Sequence, residues 1–429
     1  MEYETLGKVA EIIMGQSPPG EMTNTDGYGL PLLNGPTEFG AHHPLPVQYT
    51  TEARKVASPG DLLFCVRGST TGRMNWADRK YAIGRGIAAI RHRSSYELQP
   101  LVRAVIEYQL PELLNRATGS TFPNVSVSQL AELLYPTLDE AQQREIAHIL
   151  GTLDDKIELN RRMNATLEAI ARAIFKSWFV DFDPVHAKAR GEQPFGMDAD
   201  TAALFPDAFE DSELGPIPAG WRVTTLSKTV EVVKGRSYKS SEIEQSNVAL
   251  VTLKSINRGG GYNPQGLKPY TGKYRPEQIV SPGEIVVAFT DITQQAEVIG
   301  KPALVRGHPD YDSLIASLDL GIVRPMIVGM NIPYLYELLS TDGFQAHVLS
   351  YVNGSTVLHL NNRGIPSYRY PLPTPAVLAK FEALAQPLFD RISANEAESR
   401  TLAELRDTLL PKLILGDIRI GECNDATSS

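Results

Sequence analysis

Residues 137–183, TLDEAQQREIAHILGTLDDKIELNRRMNATLEAIARAIFKSWFVDFD, constrain this chain more than any other stretch, because they read as a single long helix. Ile146, Ile149, Leu153, Ile157, Asn160, Met163, Leu167, Ile170 and Ile174 recur at steps of three and four and form one narrow apolar seam. Thr137 and Glu140 have the spacing of a capping box at its start, and Pro184 blocks its continuation. About 40 residues at 1.5 Å each make a rod roughly 60 Å long. A seam so narrow on a rod so long requires a partner.

A partner lies in the same chain. At a shift of 235 residues, Tyr135-Pro136 recurs as Tyr370-Pro371, Asp155-Lys156-Ile157 as Asp390-Arg391-Ile392, Asn160 as Asn395 and Thr166-Leu167 as Thr401-Leu402. The second seam is Phe381, Leu384, Leu388, Ile392, Asn395, Leu402, Leu405 and Leu409, opened by Thr374-Pro375 and ended by Pro411 and Gly416. An Asn at the same seam position in each helix fixes register in a coiled coil. The sequences around the helices repeat too. Thr5-Leu6-Gly7-Lys8 returns as Thr225-Leu226-Ser227-Lys228, Ser58-Pro59-Gly60 as Ser281-Pro282-Gly283, and Gly119-Ser120-Thr121 as Gly354-Ser355-Thr356. Ordered matches of this kind indicate an internal duplication.

The expected organisation is mixed α/β. Two duplicated lobes, residues 1–135 and 221–372, are joined by two long antiparallel coiled-coil helices, residues 136–183 and 373–416, with a connector at 184–220 and a tail at 417–429. In the first lobe Leu62–Val66 and Ile87–Ile90 read as buried strands and Leu101–Leu114 as a helix. Ser58-Pro59-Gly60 suits a type II turn. Gly191, Pro194, Gly196, Pro206, Pro216 and Pro218 interrupt the connector, and its acids are expected to keep it solvated, apart from a docked segment around Leu204 and Phe205.

The net charge of −9 argues against nucleic acid only as a sum. The connector at 181–220 carries −7 and residues 373–429 carry −3, whereas 221–372 is +3 and 1–135 is near balance. No run of 18 apolar residues spans a membrane, and MEYETLGKVAE has no secretory pattern. The two cysteines, Cys65 and Cys423, are far apart, which suits a reducing cytoplasm and no cysteine metal cluster.

No catalytic constellation stands out. There is no phosphate-binding G-x-x-x-x-G-K-[ST] loop and no G-x-G-x-x-G. Asn331-Ile332-Pro333-Tyr334 resembles an adenine-methylation motif but has Ile in place of the first Pro, and reads as a helix start. Asp154-x-Lys156 reads as charged helix surface, and the His42-His43 pair lacks carboxylates at ligand spacing. What remains is a polar loop in each lobe: Arg67, Ser69, Thr70, Thr71, Arg73 and Asn75 in the first, and Thr290, Asp291, Thr293, Gln294 and Gln295 in the second. Arg, Asn and Gln reach base edges, while Ser and Thr reach phosphates or bases, so these loops are the candidate DNA contacts.

Gln143-Arg144-Glu145-Ile146-Ala147, Leu153-Asp154-Asp155-Lys156-Ile157, Asn160-Arg161-Arg162 and Phe175-Lys176-Ser177-Trp178-Phe179-Val180-Asp181-Phe182-Asp183-Pro184 together resemble the specificity subunits of type I restriction–modification systems. Leu214-Gly215-Pro216-Ile217-Pro218-Ala219-Gly220-Trp221 and Leu409-Leu410-Pro411-Lys412-Leu413 extend the resemblance along the chain. It implies that each lobe is a target-recognition domain reading half of a split double-stranded DNA site. The helices, through Ile149, Leu153, Ile157, Asn160, Leu167, Leu388, Ile392, Asn395 and Leu402, then serve as spacer and docking surface for two methylation subunits. Motor-nuclease subunits join for cleavage. No cofactor is expected in this chain; S-adenosylmethionine, ATP and Mg belong to the partners. The rival reading from the residues alone is a coiled-coil scaffold that binds protein and never DNA.

Overall fold

A computed structural model describes residues 2–117, 123–293 and 295–415. Residues 119–122, Gln294, Gly416, Cys423 and the rest of the tail lie outside the described residues. The chain divides into two compact units, residues 1–162 with those from 395 onward, and residues 163–394.

In the first unit, Ala10–Met14, Ile87–His92, Leu62–Cys65 and Met74–Trp76 form a four-stranded antiparallel sheet in that spatial order. Its two central strands are buried on both faces, which is why they read as unbroken apolar runs rather than alternating ones. Leu62, Phe64, Ala88 and Ile90 face Leu101, Val102 and Val105 of the helix Gln99–Arg116. Leu63, Ile87 and Ala89 face Leu33, Tyr81 and Ile83 of a second, five-stranded sheet. In that sheet Leu30–Leu33 runs parallel to Tyr81–Ile83.

The second unit repeats this plan with Val230–Lys234, Leu320–Pro325, Ile285–Ala288 and Pro302–Leu304. Ile285, Val287 and Val323 pack on Leu335, Leu339 and Val348 of the helices Ile332–Ser340 and Asp342–Leu349. Val286, Ala288 and Ile322 pack on Ala249, Val251, Leu314 and Ala316. The register repeats residue for residue. Met14 lies opposite Ala88 as Lys234 lies opposite Gly321, and Leu62 opposite Ile90 as Ile285 opposite Val323.

The duplicated Ser-Pro-Gly segments are type II turns. Gly60 and Gly283 have φ of +87° and +90°, a conformation that favours glycine. Asp61 N donates to Ser58 O at 3.1 Å and Glu284 N to Ser281 O at 3.0 Å. Each turn is followed by a carboxylate that ties it to the central strand. Arg91 donates to Asp61 through Nε and Nη2, both at 2.7 Å, and Arg324 to Glu284 at 2.5 and 3.2 Å. Asp61 is wholly buried, so this bidentate pair is partly shielded from water.

The two long helices are Glu140–Phe179 and Pro375–Leu415. The first is capped by Asp139, whose Oδ1 accepts from Gln142 N at 2.8 Å, and not by Thr137. It stops at Phe179 before the left-handed Phe182, and Pro184 opens the next short helix, Asp183–Ala189, instead of ending the long one. Thr374 caps the second helix, which continues through Pro411. The helices run antiparallel within each unit. In the first, Ile146, Ala147 and Leu150 share a core with Leu410, Leu413 and Ile414, while Asn160 meets Asn395. In the second, Ala171, Phe175 and Trp178 pack with Phe381 and Ala385.

The seam is less regular than its spacing suggests. Asn160, Ile392 and Asn395 are buried, and Ile149, Leu153, Ile157, Leu167, Leu388 and Leu402 are half-buried. Ile170, Leu384 and Leu405 are exposed. A straight helix drifts about 20° per heptad from a 3.5-residue repeat, so the buried line moves to Ala147 and Leu150 at one end and Ala171 and Phe175 at the other. Asp154 is not open helix surface. It binds Arg406 at 2.7 Å and Arg103 at 3.4 Å, with its side chain 15% exposed.

Residues 184–220 fold onto the second unit at more points than the expected docked segment around Leu204 and Phe205. Val185, Phe205 and Ile217 enter the aromatic core built from Phe175, Trp178 and Trp221. Apolar residues at wide spacing dock the segment while its acids stay outside, a pattern that composition averages away. Asn331 caps the helix Ile332–Ser340, its Oδ1 accepting from Tyr334 N at 2.8 Å, as its sequence implies. No helix among the described residues is long and apolar enough to cross a membrane.

Candidate nucleic-acid interface

The first polar loop emerges from the buried strand Leu62–Cys65 and returns as Met74–Trp76. Gly72 N donates to Cys65 O at 2.9 Å and Cys65 N donates to Arg73 O at 2.8 Å, which closes the loop as a short hairpin. Arg67, Ser69 and Thr70 are exposed at its tip. The others are engaged within the lobe. Thr71 Oγ1 donates to Gly68 O at 2.8 Å and Pro123 O at 2.9 Å. The Arg73 guanidinium donates to Pro36 O at 3.2 Å and Phe39 O at 2.8 Å. Asn75 is 4% exposed and gives its amide to Gly40 O at 3.1 Å. Arg73 and Asn75 therefore hold residues 36–40 in place.

The loop of the second lobe is organised around Asp291, which is buried. Its Oδ1 accepts from Thr293 N and Oγ1 at 2.7 and 2.8 Å, and its Oδ2 from Val298 N and Ile299 N at 2.7 and 3.2 Å. Burial pushes this carboxyl up, but the donors from Val298, Thr293 and Ile299 outweigh it and hold the group below the usual aspartate range. Thr290 Oγ1 donates to Asp319 Oδ1 at 2.9 Å. Thr290 and Thr293 thus shape the loop, and Gln295 is its exposed amide. Gln294 lies outside the described residues.

The His42-His43 pair is an edge-to-face contact with ring centres 4.6 Å apart. Burial lowers the His42 pKa, against the raising influence of Glu158. His43 Nδ1 lies 2.9 Å from Trp76 O, so it bonds backbone. Among the described residues no group of three or more His, Cys, Asp or Glu converges at metal-binding distance.

Between the long helices, Asn160 Nδ2 donates to Glu398 Oε2 at 2.8 Å, Ser399 Oγ at 3.3 Å and Asn395 O at 3.4 Å. The two asparagines made equivalent by the duplication meet each other. The buried N–H donors of Asn160 find these partners in only one alignment, which penalises sliding of one helix along the other. The geometry is thus that of two scaffolded lobes with outward polar edges and a register-locked helix pair, with no reaction centre assembled among the residues singled out.

A family model described as "Type I restriction modification DNA specificity domain" matches residues 1–169. The type I restriction enzyme HindI specificity subunit of Haemophilus influenzae is 24% identical over 421 residues, covering 86% of this chain and 88% of that protein. The MjaIX specificity subunit of Methanocaldococcus jannaschii is 28% identical over 312 residues, 71% of this chain and 65% of that one. The crystal structure of a type I restriction–modification S subunit from M. genitalium superposes with a TM-score of 0.54 at 16% identity, covering 96% of both chains, a likeness of fold. The family model thus covers the first lobe and most of the first long helix, and the relatives that span most of the chain are type I specificity subunits.

Proposed function

We infer that this chain is the DNA-recognition subunit of a type I restriction–modification complex. The residue-for-residue repeat of sheet register in the two lobes carries the reading. Two lobes of one fold with different outward side chains suit a target with two different halves. Chemistry belongs to partner subunits, which bring S-adenosylmethionine, ATP and Mg.

The same duplication supports a count of two methylation subunits. Ile170 and Leu405 occupy equivalent positions on the two long helices and are 43% and 45% exposed. Equivalent apolar positions left open in both helices suit two copies of one partner better than one. Motor-nuclease subunits would join this assembly. A mobility-shift titration with the methylation partner, at two salt concentrations, tests the reading. Specific retardation that weakens steeply with salt is expected, because phosphate contacts release counterions. Binding of the partner with no DNA retention at either salt would refute it.

A further inference from the structure

In each lobe the chain leaving the first sheet strand crosses the turn that leads into the central strand, and the two crossings match bond for bond. Gly15 N donates to Ile87 O and Gln16 N to Ile83 O, both at 2.9 Å. In the second lobe Gly235 N donates to Leu320 O at 3.0 Å and Arg236 N to Ala316 O at 2.7 Å. The turn beneath is anchored alike, by Gly84 N to Leu33 O at 2.8 Å and Ser317 N to Val251 O at 2.9 Å. The approach leaves no room for a side chain. A Cβ on Gly15 would sit 2.1 Å from Gly84 O, and one on Gly235 would sit 2.0 Å from Ser317 O.

The backbones match, but the side chains they present do not. Gln16 in the first lobe stands where Arg236 stands in the second, and Arg85 stands where Leu318 stands; all four are exposed. Among the described residues the Gln16 amide and the Arg85 and Arg236 guanidinium groups have no protein partner, whereas Arg73, Asn75, Thr290 and Thr293 are engaged inside their lobes. Lys234 and Lys239 are exposed on either side of Arg236, and Lys55 borders the first turn, its carbonyl accepting from Ile83 N at 3.0 Å. A rigid backbone shared by both lobes, carrying different unpaired Arg and Gln side chains amid lysines, has the properties of a base-reading edge. Arg matches guanine and Gln matches adenine bidentately in the major groove, and lysines supply phosphate contacts. Fixing the backbone beforehand lowers the ordering cost of binding.

Resting on the DNA-recognition reading above, we propose that these two crossings are the base-reading edges, with Gln16 and Arg85 specifying one half of the target and Arg236 the other. The test expresses the full chain with its methylation partner in a host without other adenine methylation and maps the methylated motif. Arg236→Ala should lower base preference at one position of one half by about five- to hundredfold, leaving the other half intact. Gln16→Ala with Arg85→Ala should do the same in the opposite half. Arg236→Lys keeps the charge but loses the fork, so it should not restore the motif. Restoration by lysine would reduce Arg236 to a phosphate contact and overturn the assignment. So would an unchanged motif in both alanine variants, or loss of definition in both halves from either one. A wild-type chain that directs no methylation at all would instead overturn the premise of DNA recognition, and this assignment with it.

Discussion

Glu337 lies on the helix Ile332–Ser340 of the second unit and is 3% exposed. Burial is the main influence on its carboxyl; Arg172 opposes it and Glu168 adds to it, and the group is pushed from 4.5 up to about 7. The folded state therefore holds a proton that the unfolded chain releases between those two values. Stability falls as pH rises through that window, because there the folded state binds more protons than the unfolded one. The integrated cost of ionising Glu337 is about 3 kcal/mol, reached just above pH 7 and absent below about pH 4.5. Glu337→Gln keeps the shape and removes the charge. Urea melts of the wild-type and variant chains, followed by tryptophan fluorescence between pH 4.5 and 8, should diverge. The variant should gain nothing at the acid end and about 2–3 kcal/mol at the alkaline end. An equal difference at every pH, or a variant less stable at pH 8 than at pH 5 relative to wild type, would refute the assignment of a buried, protonated carboxyl.

Three further outcomes are expected from the same kind of measurement. Asp61→Ala leaves Arg91 in a partly shielded site without its bidentate partner and should cost about 3 kcal/mol in chemical denaturation; a loss under 1 kcal/mol would show that the pair is solvated. Asn160→Ala removes the donor shared by Glu398, Ser399 and Asn395 and should cost about 1–3 kcal/mol, so unchanged stability would mean that the asparagine pair does not lock the helices. Gly235→Ala forces a Cβ against Ser317 O and should cost about 1–3 kcal/mol or more, read as a lowered midpoint; a neutral variant would show that the crossing is loose.

The duplication was legible in the sequence because it rests on local signals that repeat. The Ser-Pro-Gly turns, the strand Leu62–Cys65 and the Asn160–Asn395 match all lie where spacing and turn chemistry place them. Partnerships at long separation were not legible. Arg91 meets Asp61 across 30 residues, and Arg324 meets Glu284 across 40, although the matched Asp61 and Glu284 after each turn were a signal. The polar loops show the limit most clearly. Residue type alone made Arg73 and Asn75 look outward, yet both serve residues 36–40, which no spacing rule connects to them. Gln16 and Arg236 were passed over because each follows a glycine whose role, a close backbone approach, exists only in the folded lobe. In the segment 184–220 the docking of Leu204 and Phe205 was legible, whereas that of Val185 and Ile217 was not, because net charge describes the segment's surface and a few apolar residues decide its docking.

Mapping methylated adenines across the genome of a methylation-free host that expresses the wild-type chain with its methylation partner bears on the whole scheme at once. Two lobes of common scaffold and different side chains should yield one new bipartite motif, two defined stretches separated by a gap of unspecified sequence. A single uninterrupted motif, or methylation without sequence preference, would contradict recognition by two independent lobes.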